Sequence, residues 1–446
     1  MDDSASAPDP DAPTFARVTR RLVPLLFLGY FLAFLDRVNI GFAKLQMAGD
    51  LGLGDAVYGF GAGIFFIGYF LFEVPSNLML ARIGARRWIA RIMISWGVIS
   101  SAFMFVGEMH WGPLARMFGC SDAQFGFYAL RFLLGVAEAG FYPGVILYLT
   151  YWYPAPRRAH VVALFTTANP ISNALGAPLS GAVMQYMSGM AGLRGWQWLF
   201  LIEGVPSIVM GFLLLAILPD GPGSARWLSN EEKARIASGL DTRPTRRARL
   251  SAILTDWRIW LCALAFFPSS VGFYAINFWM PTIIQEIGLD KGDYLSVGLL
   301  AMIPYGVAAV VMVLWARHSD RSGERPWHAA SALLAAASGF VILAYFGHHP
   351  VLSIAAITLI ASGALAWIGV FWTMPMRLLA GTAAAGGIAM INSLANLGGF
   401  FGPDLVGRVR AATDGSYAIA FLVLAAAAVM GAILTWTVGR ISPETS

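Results

Sequence analysis

Apolar runs of about twenty residues recur from Leu22 to the end of this 446-residue chain. A helix of that length rises far enough to cross a hydrocarbon core of about 30 Å. Twelve such spans are read, at 22–42, 57–80, 88–107, 124–149, 159–187, 197–218, 257–287, 294–316, 328–347, 351–376, 383–407 and 415–438. Only 12% of the residues are charged, half the share of a soluble domain at about 25%. A transmembrane β-barrel would need alternating segments of about ten residues, and no such alternation is present. The expected fold is an all-α polytopic membrane protein.

The stretch 219–256 is the long polar interruption, and it divides the spans six and six. The organisation read from this is a disordered tail at 1–21, a six-helix bundle at 22–218, a linker loop at 219–256, a second bundle at 257–438 and a tail at 439–446. With the N-terminus inside, 22 of the 30 Lys and Arg fall on inner segments and six on outer loops, while Arg37 and Arg131 lie within spans. The positive-inside rule then places both termini in the cytoplasm. The acidic, proline-rich N-terminus lacks the basic and short apolar regions of a cleaved leader. The net charge of +5 is spread over short loops, so no surface for nucleic acid is expected. Cys120 and Cys262 do not make a disulfide framework.

The two halves echo each other. The turn after span two reads RIGARRW from Arg82 through Gly84 and Arg86 to Trp88. The turn after span eight reads RSGERPW from Arg321 through Gly323 and Arg325 to Trp327. Both fit R-x-G-x-R-x-W at an inner turn. Spans five and eleven are both rich in Gly, Pro and Asn, as helices that pack closely and rock against one another need to be. Many transporters are built from such repeats, with the solute site near the midplane between them.

Four charges lie where lipid should surround the chain: Asp36 and Arg37 in span one, Arg131 and Glu138 in span four. Each costs about 2.5–3.5 kcal/mol to insert, so such residues face a protein interior or a wet pathway. Arg37 is about 22 Å into its span from the inner side and Arg131 about 10 Å from the outer side. Both therefore sit at similar depth and could converge on one solute. A guanidinium stays charged and grips a carboxylate with two hydrogen bonds. Glu138 follows Arg131 by two helical turns, about 10.5 Å and too far for a direct bond. Near mid-membrane it can load and release a proton. Asp36 adjoins Arg37, so an ion pair between them is expected; an anion on Arg37 would break it and free Asp36 to take a proton. The alternative for both acids is a permanent ion pair. Glu73 and Glu203, also within spans, are read as structural.

Several stretches carry a resemblance: LDRVNIG at 35–41, RFLLGVAEAGFYPG at 131–144, YLTYWYP at 148–154, FYAINFWMP at 273–281, HSDRSGER at 318–325 and the run 392–407. The chain resembles the major facilitator superfamily. Within it, the chain is similar to the anion:cation symporter family and to the branch with tartrate, phthalate and hydroxyphenylacetate permeases. The resemblance implies two pseudo-symmetric six-helix bundles and import of an organic carboxylate with protons. Tyr69, Asn169, Trp372, Asn392 and Asn396 fall where that family lines its cavity, and Tyr274 and Asn277 join them as candidate substrate contacts. The loop signature includes Asp320 before Arg321, whereas the first copy has Ala81 at that place; the charge relay of the first half is expected to be weaker.

The function read from these residues is proton-coupled import of a small organic anion across the inner membrane, with Asp36 and Glu138 carrying protons. One proton makes entry of a monovalent anion electroneutral; a second makes the potential help. The alternative is an anion exchanger with no net proton movement. Export of cationic drugs fits poorly, because cavity arginines repel cations. No compact nucleophile or metal set suggests an enzyme, the 38-residue linker is too short for a signalling domain, and no phosphate-binding loop of the G-x-x-x-x-G-K-[ST] kind is present. No histidine lies well inside a span, which argues against a histidine relay. No cofactor or metal is expected; the partners are the carboxylate, protons and lipid, and the protein is read as a monomer.

Overall fold

The computed structural model describes residues 11–240, 254–379 and 383–442, and the regular structure among them is helical. The first half contains α1 (Ala12–Leu51), α2 (Asp55–Ile83), α3 (Ala85–Ala102), the short α4 (Pro113–Met117), α5 (Asp122–Glu138), α6 (Phe141–Thr150), α7 (Ala155–Thr166), α8 (Ala168–Tyr186) and α9 (Gly195–Ile217). A connecting helix α10 (Asn230–Gly239) follows. The second half contains α11 (Trp257–Glu286), α12 (Tyr294–Ser322), α13 (Arg325–Phe346), α14 (Pro350–Phe371), α15 (Thr373–Leu378), α16 (Ala383–Asn396), α17 (Gly398–Ala412) and α18 (Ala418–Ile441). Among the described residues, ten stretches are long and apolar enough to cross a membrane. The interrupted pairs α7–α8 and α16–α17 complete the twelve spans.

Four spans are broken, and they correspond between the halves: the fourth and tenth, the fifth and eleventh. Three of the breaks share one cause. They fall at Gly140, Thr167 and Trp372, each three residues before a proline: Pro143, Pro170 and Pro375. A proline has no N–H for the carbonyl four residues back and its ring collides with that carbonyl, so the ladder opens just upstream. The fourth break, at Leu397, precedes the Gly398-Gly399 pair, which gives little support to a helix. Gly140 adopts a left-handed φ of 86°, which a side chain would resist.

The two halves meet most closely at the face opposite the chain termini. There α2 crosses α17 and α8 crosses α12 with backbones nearly touching. A Cβ on Gly407 would lie 2.4 Å from the Asp55 carbonyl oxygen, and one on Gly298 would lie 2.4 Å from that of Ala177. Only glycine lets helices approach this closely. A lattice of charges covers the contact. Arg410 donates from Nε to Asp55 at 2.8 Å and from Nη2 and Nη1 to Glu286 at 2.9 and 3.1 Å. Lys44 pairs with Asp55 at 2.9 Å and lies 3.8 Å from the Trp279 ring centre. Trp279 in turn donates to the Pro403 carbonyl at 3.2 Å. This end of the molecule is closed.

Two sequence expectations need correction. Helix α1 begins at Ala12, so residues 12–21, assigned to a disordered tail, are helical. The linker is not a plain loop either. Trp227 stacks on Trp152 with ring centres 5.8 Å apart, and α10 carries a Ser229–Glu232 capping box whose Glu232 meets Arg17 at 2.9 Å. Residues 1–10, 241–253, 380–382 and 443–446 lie outside the described residues, and with them about half of each tail and the middle of the linker.

Replacing Gly407 with Val should force α2 and α17 apart and raise maleimide labelling of a reporter placed by Thr282→Cys at the closed face, several-fold over the reporter alone. Unchanged labelling would mean that the glycine crossing does not hold this face shut.

Candidate functional site

At the middle of α1, the Arg37 guanidinium is bonded through Nη2 to Glu138 Oε1. Glu138 is the last residue of α5, and the break at Ala139–Gly140 turns the chain there. The negative end of a helix disfavours a carboxylate, so a facing cation is needed. Both side chains are largely buried. Rings close around the guanidinium: Phe34, Phe65 and Tyr69 have their centres 5.0, 5.3 and 5.6 Å from it. Tyr30 and Tyr274 also face it. Tyr274 comes from α11, and its ring packs 4.4 Å from that of Phe66 on α2, so the site lies between the halves. Arg37 Nε has no hydrogen-bond partner. One carboxylate therefore leaves this cation with donor capacity to spare.

Asp36 is placed differently from the sequence reading. Successive helical residues point about 100° apart, and Asp36 faces into the first bundle, away from Arg37. Ser100 donates to its Oδ1 at 2.7 Å; Trp96 and Ser207 donate to its Oδ2 at 2.8 and 3.0 Å. These donors come from α3 and α9, whose backbones meet at Gly97 and Gly204. The expected Asp36–Arg37 ion pair is replaced by Arg37–Glu138, and the competition for Arg37 moves to Glu138.

Arg131 was expected to share a solute with Arg37. The two guanidiniums do approach the same ring, since that of Arg131 lies 5.0 Å from the Phe65 centre. Yet Arg131 is 1% exposed and donates to the carbonyls of Gly61 at 3.3 Å and Ala62 at 2.8 Å. Its physical role in this conformation is to pin α5 to α2. Burial among carbonyls and rings without a carboxylate accounts for the difference.

The other sequence candidates divide. Tyr69 and Tyr274 join Arg37. Asn169 and Asn277 are linked through Asn173, which donates to Asn169 Oδ1 at 2.8 Å and accepts from Asn277 at 3.5 Å. Asn173, missed as a candidate, stands one turn from Asn169 and could have been found by that spacing. Asn392 and Asn396 are half-buried, one turn apart on α16. Beside them Ser393 donates at 2.6 Å to Glu73 of α2, a link between the halves. Trp372 packs edge-on against Phe266 at 5.4 Å, in a separate apolar cluster of the second half. Among the described residues no three metal-ligating side chains gather.

The two loop signatures have different partners. In the first, Arg86 donates its backbone N–H to Asp220 at 3.0 Å and its Nε to the Leu215 carbonyl at 2.5 Å. Gly84, at φ 97°, lies against the same Asp220 carboxylate. Asp220, just past α9, thus supplies the acid that Ala81 does not. In the second, Asp320 pairs with Arg325 at 3.0 Å and Gly323 takes φ 75° to close α12. Arg82 and Arg321 are exposed.

Comparison with known proteins agrees with this architecture. A model described as Major Facilitator Superfamily matches residues 26–403. A "Putative tartrate transporter" of Agrobacterium vitis is 46% identical, over 99% of this chain and 95% of that protein. A "Quinolone resistance transporter" of Acinetobacter baumannii is 40% identical over 94% of each. Among solved structures, a bacterial homologue of the human lysosomal transporter Spinster aligns with a TM-score of 0.75 at 16% identity, over 95% of this chain and 97% of that one.

Asp36→Ala should leave Trp96, Ser100 and Ser207 without an acceptor. The expected loss is about 3 kcal/mol or more, read as a lower thermal midpoint of the detergent-solubilised protein. A midpoint equal to that of the parent would remove Asp36 from its structural place.

Proposed function

We propose that this chain, which belongs to the major facilitator superfamily, imports a small tartrate-like carboxylate together with protons. As a member it is a multi-pass secondary transporter and not an enzyme. The proposed setting is the inner membrane with both termini in the cytoplasm, so that the closed face is the outer one. The central observation is Arg37: a guanidinium held between the halves, paired with one acid, ringed by tyrosines and left with an unused N–H.

The coupling follows from competition. A carboxylate arriving at Arg37 makes the same charge-assisted bonds as Glu138 does. Glu138 is then buried beside a second anion, and taking up a proton removes the conflict. The loaded site is one cation, one anion and one neutral acid. Emptied toward the cytoplasm, Arg37 draws Glu138 back and the proton leaves. Tyr69, Tyr274 and the Asn169–Asn173–Asn277 chain supply hydrogen bonds for hydroxyl and carboxylate oxygens. Asn392 and Asn396 extend the lining from α16. Arg131 holds α2 and α5 in register beneath the site. The energy source is the proton gradient, since a monovalent anion entering against the potential costs about 2.3 kcal/mol per 100 mV. Alternating access would exchange the glycine-packed far face for contact at the face of the loop signatures.

Proteoliposome uptake of radiolabelled tartrate, beside a panel of mono- and dicarboxylates, tests the reading. Arg37→Ala should weaken binding at least thirtyfold, as losing one partner of a buried ion pair costs about 2–5 kcal/mol. Glu138→Gln should keep tartrate counterflow while losing accumulation driven by an imposed pH gradient. Uptake that ignores pH and requires internal anion would make the protein an exchanger.

A further inference from the structure

A second acidic site lies inside the first bundle, on acids other than Glu138, although Glu138 of α5 also faces Asp36. Glu203 of α9 is 0% exposed, and its Oε1 accepts from Ser180 of α8 at 2.8 Å. Its Oε2 is buried with no hydrogen bond. Asn39 of α1, 1% exposed, faces the same carboxyl, and both polar atoms of its side chain are likewise unpartnered. One turn along α9, Ser207 donates to Asp36. The groups that face Glu203 are Asp36 and Asn39 from α1 and Ser180 from α8. From α3, Gly97 and Ser101 pack against Gly204 beside it and bring no charge. Among the described residues no Lys, Arg or His pairs with Asp36 or Glu203.

Two neighbouring buried acids without a cation do not both hold a negative charge. Hydrogen bonding says which one is neutral. Asp36 receives three donors over both oxygens, the surroundings of a carboxylate ion. Glu203 receives one, and a proton on its free oxygen would find the Asn39 oxygen as acceptor. We propose that Asp36 and Glu203 form one proton-binding site, in which Glu203 carries the proton while the far face is closed. This site moves a second proton in each transport cycle, beside the one exchanged at Glu138. It places Asp36 in proton coupling by a route other than Arg37. The proposal rests on the proton-coupled reading above only for its place in the cycle.

Proton binding is measured directly on the full-length protein in detergent, by titration between pH 5 and 9 without substrate, so the result does not depend on tartrate being carried. Glu203→Gln should bind one proton fewer than the parent, and Glu203→Asp should restore it. In proteoliposomes Glu203→Gln should keep tartrate counterflow within about twofold while the proton-to-tartrate ratio falls by one. An unchanged proton count and ratio would overturn the proposal and leave Glu203 a fixed neutral hydrogen-bonder. Uptake that follows a sodium gradient and ignores pH would overturn the place of this site in the cycle, while the proton count still decides the site itself. If Glu203→Gln does not fold, Ser180→Ala removes the one donor on Glu203 and should shift the pH midpoint of proton binding. An unmoved midpoint would refute the assignment. If tartrate is not transported but the proton count falls by one, the site stands and the substrate reading fails.

Discussion

A guanidinium taken out of water loses several kcal/mol of hydration, and the loss is recovered only by a carboxylate in good geometry. Arg37 meets this condition through Glu138, 101 residues away in sequence and on the other side of a broken helix. Much of the first bundle serves that meeting. The proline-induced break ends α5 at Glu138, Arg131 locks α5 to the carbonyls of α2, and α2 brings Phe65 and Tyr69 against the guanidinium. A buried pair of this kind is weak evidence for stability. In the proposed function its value lies in being exchangeable: a solute carboxylate would take the place of the resident one, and a proton would neutralise the acid it displaces.

The interior of the first half thus separates two electrostatic problems on adjacent residues of one helix. Arg37 looks toward the second half and its tyrosine, Tyr274. Asp36 looks inward to serine and tryptophan donors on α3 and α9. The helical turn of about 100° between neighbours keeps them apart. Cation and anion in one dipeptide therefore serve different partners.

Hydropathy made the twelve spans and their division legible, because lipid demands long apolar helices and little else. The loop signatures and the small-residue character of the fifth and eleventh spans were also readable, from Gly and Pro placement; their breaks at Thr167 and Leu397 were not. Partners were not. Adjacency in sequence suggested Asp36 with Arg37, although the angle between neighbouring helical residues already spoke against it. For Arg131, nothing in the chain marks which carbonyls a guanidinium will find. The acid missing at Ala81 is supplied by Asp220, beyond span six, where only folding brings it near. Helix α1 runs ten residues past its apolar core, because amphipathic turns outside the lipid give no hydropathy signal.

The lattice at the far face has two cations, Lys44 and Arg410, and two anions, Asp55 and Glu286. Prying it open carries no net charge through the electric field across the bilayer. Should this face open in transport, one cation and one anion of the lattice would ride on each half, and the lattice itself would be electrically silent.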